Sequence, residues 1–415
     1  MIRLTILFFT LFSFINPFCS VFAEDVQEQT VNDMDELRAL RKEVEELRVL
    51  VDKLTEKQAK NKTEIVENKT EIAATKPKPR SDFDIPSLSI RGFGHLQYDY
   101  ANQSTPGLPD KNSNHFADGD IGLLFTSQIA KKLHFFSETL FKFTSEGDTD
   151  VNVERVMLSY EFADWLNISI GRDHTPLGYW NQHYHHATWT HTTTDRPLIF
   201  QFEGDDGILP MHYVGIGLSG NVGFNFGNID YSLMVGNGRG KDTESIQIIN
   251  DLNDDKQISF QFTIEPSALD GFGVGANILY DVIPNNFGVA GRENEIDEVI
   301  AGAHLYYTAD PFEIIAEYQY IWHDDFRSKK SHHGGYLQLA YGFDKLTPYY
   351  RFDILDIEPG DAYYANLNSV MDTIQHTVGI RYDWFPFAAI KFEYRRSDTN
   401  LVDSNEISTQ VSFMY

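Results

Sequence analysis

From Leu88 to the last residue, apolar and polar side chains alternate with a period of two. Residues 407–415 put Ile407, Thr409, Val411, Phe413 and Tyr415 on one face and Ser408, Gln410, Ser412 and Met414 on the other. Residues 388–395 set Ala388, Ile390, Phe392 and Tyr394 against Ala389, Lys391, Glu393 and Arg395. Residues 378–384 and 258–264 repeat the pattern. Period two is the signature of a strand with two unlike faces. A soluble β-sandwich also alternates, so the count and spacing of strands must decide. Segments compatible with strands begin near residues 88, 116, 132, 151, 165, 211, 224, 256, 271, 298, 312, 334, 346, 374, 387 and 406. That is about 16, an even number, as membrane barrels of this kind require. The linkers alternate in length. Short ones lie at 131–132, 164–165, 309–311, 343–345 and 385–386, and long ones at 102–114, 173–210, 238–255, 284–296 and 356–372. Short turns at one rim and long loops at the other predict an all-β fold, a transmembrane antiparallel β-barrel of about 16 strands over residues 88–415.

Ahead of the barrel the period changes to seven. With Leu37, Val44, Val51, Ile65 and Ile72 at heptad position a, Leu40, Leu47 and Leu54 fall at d, among Glu, Lys and Arg. This predicts a short α-helical coiled coil within residues 24–74. Gln58 at a, and Asn61 and Asn68 at d, are polar insertions of the kind that fix register and oligomer state. Val at a with Leu at d leans toward a dimer. The Ile-at-a, Asn-at-d layers of the tandem heptad 61–74 instead resemble the trimeric stalks of bacterial surface adhesins, which implies a homotrimer. Two prolines, Pro77 and Pro79, make residues 75–87 a stiff linker. Residues 1–23 read as a signal peptide: Arg3, an apolar run from Leu4 to Phe18, then Val21-Phe22-Ala23 before cleavage. The coiled coil is thereby expected in the periplasm.

Composition narrows the class. Mean hydropathy is −0.34, and past the N-terminus no run reaches the ~20 apolar residues of a membrane-spanning helix. A barrel strand shows lipid only every second residue, so its mean hydropathy stays low. The net charge is −27, and residues 81–415 hold 21 Lys/Arg against 47 Asp/Glu. Such an acidic excess argues against nucleic-acid binding. The one cysteine, Cys19, lies in the signal peptide, so the mature chain is expected to lack disulfides and thiolate chemistry.

A barrel of about 16 strands encloses a water-filled channel rather than a packed core. Alternation places Arg91, His95, Gln97 and Asp99 on the inner face of the first strand, and Arg155, Arg351, Arg381, Lys391 and Arg395 on other inner faces. Glu138, Glu161, Glu313, Glu317, Asp353, Asp383 and Glu393 share those faces. Such groups either create a transverse field that selects solutes or neutralise one another in pairs. The longest loop, 173–210, carries Tyr179, Trp180, Tyr184, Trp189, Phe200 and Phe202, too many aromatics to leave in water. It also carries His174, His183, His185, His186 and His191, beside Asp195, Arg196, Glu203, Asp205 and Asp206. It is expected to fold inward as the constriction, against a rival placement outside as a lid. Its histidines are expected to titrate near pH 6 to 7, about the unperturbed imidazole range. A His-x-His-His run suits zinc or copper, but no fixed-spacing ligand set accompanies it, so hydrogen bonding is the preferred role and no metal or cofactor is expected. Acids in the outer loops, Glu293, Glu295, Asp297 and Glu298 among them, either bridge divalent cations to lipopolysaccharide or are solvated surface. No Gly-x-Ser-x-Gly is present, so no catalytic residues are assigned. A barrel hydrolase and a coiled-coil tether remain the alternatives.

The closing strand, with Val411, Phe413 and Tyr415 on one face, resembles the signal by which Gram-negative cells assemble porins. The layout resembles trimeric porins with an N-terminal periplasmic coiled coil. Thr175-Pro-Leu-Gly-Tyr-Trp-Asn followed by Asp195-Arg-Pro is similar to a segment of the phosphate-selective porin group. The resemblance implies a passive diffusion channel in the outer membrane, partnered by the lipid bilayer and lipopolysaccharide. It implies that Phe413 and Tyr415 engage the barrel assembly machinery.

Overall fold

The computed structural model describes Lys53 and residues 86–415, apart from 144–147, 185–186, 202–206, 244–250, 290, 365–366 and 368–371. The signal peptide, the coiled coil save Lys53, and the linker up to residue 85 lie outside the described residues. So do His185 and His186.

Sixteen antiparallel strands form one closed ring. They are β1 (Leu88–Ser104), β2 (Lys111–Ala130), β3 (Leu133–Phe143), β4 (Thr149–Ala163), β5 (Leu166–His174), β6 (His212–Phe224), β7 (Gly227–Asn237) and β8 (Lys256–Pro266). The ring continues through β9 (Phe272–Ile283), β10 (Ile296–Ala309), β11 (Phe312–Asp324), β12 (Lys329–Tyr341), β13 (Leu346–Ile357), β14 (Thr373–Phe385), β15 (Ala388–Thr399) and β16 (Asp403–Met414). β1 pairs with β16 from Phe93↔Met414 to Ser104↔Asp403, which removes the free edges that an open sheet would present. Every strand lies within a few residues of its sequence-predicted start. The expected loop at 102–114 is mostly strand, however, because β1 and β2 run on as a paired ribbon to Gln103↔Lys111. Connections at 144–148, 325–328 and 400–402 are also short, so only part of the loop rim carries long loops.

The faces are inverted relative to a soluble protein. Outward positions of β14 and β15, such as Val378, Ile380, Phe392 and Tyr394, are exposed, while the inward Thr377, Lys391 and Glu393 are buried. Exposed aromatics crowd the turn rim: Phe162, Trp165, Phe224, Phe226, Phe343, Trp384, Phe385 and Phe387. This is the girdle expected at a membrane interface. Tyr415 completes it. Its backbone exchanges two 2.8 Å hydrogen bonds with Gly92, and its ring lies over the glycine, where a Cβ would stand 2.2 Å from it.

A charge at mid-height on this outer face should be costly. Val378→Arg is expected to destabilise the barrel in lipid vesicles by about 2–4 kcal/mol, measured by reversible denaturant unfolding. An unchanged stability would contradict a lipid-facing β14.

Candidate channel constriction

The connection from β5 to β6 is tied off at its neck. Thr175 N–H donates to Met211 O (2.9 Å), and the Asn181 amide donates to Thr175 O (2.9 Å) and Met211 O (3.1 Å). Beyond the neck, Gly178–His183 forms one short helix, α1. Its leading N–H groups, on Tyr179 and Trp180, donate to the two carboxylate oxygens of Glu317 on β11, at 2.6 and 2.7 Å. Tyr336 Oη on β12 adds a third bond to that carboxylate (2.6 Å). The orphan donors of a helix start are thus satisfied by a strand carboxylate inside the barrel. Gly178 is required here: its φ is +71°, and a Cβ would lie 2.1 Å from Glu317 Oε2.

Apolar residues anchor the same loop. Leu177, Trp180, Ile199, Phe200, Ile208, Leu209 and Met211 are buried against inward-facing Leu279, Ile283, Ile300, Ile315, Ile321 and Leu355. Tyr179, Trp180 and Phe200 of the loop are therefore core.

Farther along, the loop backbone is held by charged strand side chains. Arg351 on β13 donates to Thr193 Oγ1 (3.1 Å), Asp195 O (2.8 Å) and Arg196 O (3.0 Å), while its Nε binds Asp353 (2.9 Å). Lys391 on β15 donates to Thr193 O (2.7 Å) and to Thr188 O. Arg381 on β14 donates to Trp189 O (2.8 Å) and His191 O (2.9 Å). Acceptors on the strands complete the set: Glu393 takes the Thr194 N–H (3.0 Å), Asp353 takes that of Leu198 (3.1 Å), and Gln410 on β16 donates to Thr194 O (3.0 Å). Charged hydrogen bonds of this kind contribute about 1.5–3 kcal/mol each. Arg351, Asp353 and Lys391 keep no exposed surface. They face the loop, not the channel water.

The other nominated residues divide by position. His95 and Asp99 lie on the inner face of β1, where Asp99 accepts from Gln97 (2.9 Å) and Ser408 (2.5 Å). Arg91 is exposed near the turn rim. Arg155 on β4 pairs with Glu138 on β3 (2.7 Å) and lies over the Phe136 ring, on the wall across the barrel from β11 and β12. Arg395 gathers Glu393 (2.8 Å), Asp195 (3.0 Å) and Glu406 (3.3 Å) around one guanidinium. Partial desolvation would raise the Asp195 carboxyl, but Arg395, Arg351 and Arg196 outweigh it and hold it below the usual range. Arg196 donates to Phe200 O (2.9 Å) and stays inside the loop.

No protein-family model and no curated protein matches the chain. Solved structures do. An anion-selective porin from Comamonas acidovorans aligns at a TM-score of 0.56 and 10% identity, covering 80% of this chain and all of that one. OmpF of Salmonella typhi in complex with daunomycin aligns at 0.52 and 16%, covering 80% and 98%. OmpT of Vibrio cholerae, expressed in the outer membrane, aligns at 0.51 and 11%, covering 80% and 99%. The fold is that of the outer-membrane porins. At these identities the likeness is one of fold, and the site stands on its own geometry.

Within the barrel a second polar cluster locks the loop rim. Arg239, just past β7, donates to Glu298 on β10 (2.6 Å) and to Ile208 O (2.9 Å). His323 on β11 bridges Glu298 (2.8 Å) and Asp361 (2.7 Å), and His332 on β12 reaches Asp361 at 3.0 Å. Burial would raise the Asp361 carboxyl, but hydrogen bonds from His323 and His332 hold it well below its ordinary value. The Glu358 N–H donates to His332 Nδ1 (3.2 Å), so Nε2 carries the proton aimed at Asp361. The three side chains thereby close as hydrogen bonds, not as a set of metal-ready lone pairs. Glu298, expected among outward-facing acids, is instead fully buried here. Sequence reasoning missed this cluster because its members are scattered over five elements with no common spacing. It also missed Gly178, Tyr336 and Gln410 as partners of the loop.

His183 and His191 do not behave as free imidazoles. Burial pushes His183 down, with an opposing contribution from its Nδ1 bond to Tyr179 O (3.0 Å). Burial, then Lys391, Arg196, Arg381 and Arg351, push His191 well down. Both rings bind fewer protons folded than unfolded below the ordinary imidazole range. The loop is therefore fully stable above about pH 6.5 and loosens as pH falls below it. These two rings are expected to leave single-channel conductance flat from neutrality upward. A conductance step between about pH 7 and 8 that vanishes in His183→Gln would contradict this.

Proposed function

We propose that the chain is an outer-membrane porin, a passive diffusion channel for small polar or charged solutes, with the 173–210 loop as its constriction. The observation that carries this reading is the loop's hydrogen bonding to inward-facing side chains of β11 and β13–β16. A loop secured at that many points narrows the passage and fixes which groups a solute meets. Export by residues 1–23 and a homotrimer bundled through residues 24–74 complete the proposal. Assembly uses the closing strand, where Phe413 and Tyr415 lie at the turn rim and Tyr415 is 63% exposed. The lipid bilayer and lipopolysaccharide are its surroundings.

The heptads support a second reading, a tether that binds peptidoglycan through residues 24–80. Planar-bilayer recording addresses the channel directly. Deleting residues 178–194 is expected to raise single-channel conductance clearly and weaken ion selectivity while the barrel still folds. Wild-type conductance and selectivity in that variant would remove the loop from the constriction. Absence of any conductance in the wild type would leave the tether or a barrel hydrolase in its place.

A further inference from the structure

The strands contribute cations and carboxylates to the lumen, and the loop covers some of each. Backbone carbonyls are acceptors only, so a loop that folds across a lumen draws on Arg and Lys to satisfy them. Lys391 is used in this way, Arg351 divides its donors among two loop carbonyls, Thr193 Oγ1 and Asp353, and neither has exposed side-chain surface. Arg381 keeps 12% and Arg395 11% of the side chain exposed. Of the carboxylates, Glu317, Asp353 and Glu393 are buried by the loop as well, while Asp195 at 44%, Asp383 at 41% and Glu406 at 26% stay in the water. Around Arg395 three carboxylates face one guanidinium, so that cluster carries a surplus of negative charge. His95 stands within electrostatic reach of Asp120, Lys391, Asp195 and Asp99. On the β3–β4 wall the partly buried Arg155 is already matched by Glu138.

A cavity of about 540 Å³ lies between α1 and the turn rim, along the inner face of β8–β10. Its wall includes Glu265, Asp270, Tyr179, Tyr306 and His183, and no Lys or Arg among the described residues. The rings of Tyr306 and Tyr179 stack at 4.2 Å, and those of Tyr179 and His183 at 4.1 Å. Aromatic faces beside carboxylates favour positive charge.

The geometry points to a channel that selects small cations over anions, with the loop carboxylate of Asp195 as the residue that sets the preference. The inference rests on the porin reading and names the solute class for it. A carboxylate about 7 Å from an ion path in water changes local ion occupancy by a factor of about two to three. Several such groups, with the acidic excess of the barrel outside, act in the same direction.

The test is the reversal potential of the purified full-length protein in a planar bilayer under a KCl gradient. The wild type is expected to pass K⁺ over Cl⁻, and Asp195→Asn to lower the permeability ratio about twofold. Asp383→Asn, at the other strongly exposed carboxylate, is the second variant, and a smaller decrease is expected of it. A wild-type preference for Cl⁻, or none, overturns the inference while leaving the porin reading intact. So does an unchanged ratio in Asp195→Asn. Absence of any conductance overturns both.

Discussion

A ring of sixteen strands is wider than its own inward side chains can fill, and whatever enters it brings backbone N–H and C=O groups that must find partners. The rest of this structure follows from how that demand is met. The β5–β6 loop crosses from β11 to β16, and at nearly every step a strand side chain supplies the missing donor or acceptor. Glu317 caps α1, Arg351 and Lys391 serve carbonyls, and Glu393 and Asp353 serve amides. A buried charge is costly alone and tolerable when fully paired. Here each clamp answers a buried polar group of the loop, so loop and strand charges stabilise one another.

The same constraint shapes the electrostatics. Because carbonyls need donors and amides need acceptors, Arg351, Lys391, Asp353 and Glu393 turn toward the loop and leave the water, while Asp195 and Asp383 retain it. The loop rim repeats the principle with Arg239, which serves Ile208 O and is neutralised by Glu298. Loop and rim are thus parts of one polar framework that rests on strands whose outer faces belong to the hydrocarbon.

The period-two pattern made the barrel legible, because a half-lipid, half-water strand leaves a strict record in sequence. It also assigned faces correctly in β15, where Lys391 and Glu393 turn inward and Phe392 outward. It did not reveal what covers an inward residue. Arg351 and Lys391 look like channel-lining cations until the loop is seen to occupy them. Strand ends were less legible at β2, where the polar run 111–115 continues the ladder past the apolar belt. The histidines carried a misleading signal. Composition gives an unperturbed imidazole, and only packing shows that His183 and His191 are shifted downward. The Glu298–His323–Asp361–His332 cluster left no local trace, since its members meet through tertiary contacts alone.

The central claim is that the loop lies against the inner wall at β16. Introducing cysteines by Thr194→Cys and Gln410→Cys, at two positions whose native groups bond at 3.0 Å, tests it most directly. Treatment of the folded barrel with a short bifunctional thiol reagent should join the two residues, giving a mobility shift on electrophoresis while the barrel remains intact. If both cysteines react singly and no cross-link forms, the loop does not reach the wall of β16 and the account of the constriction fails.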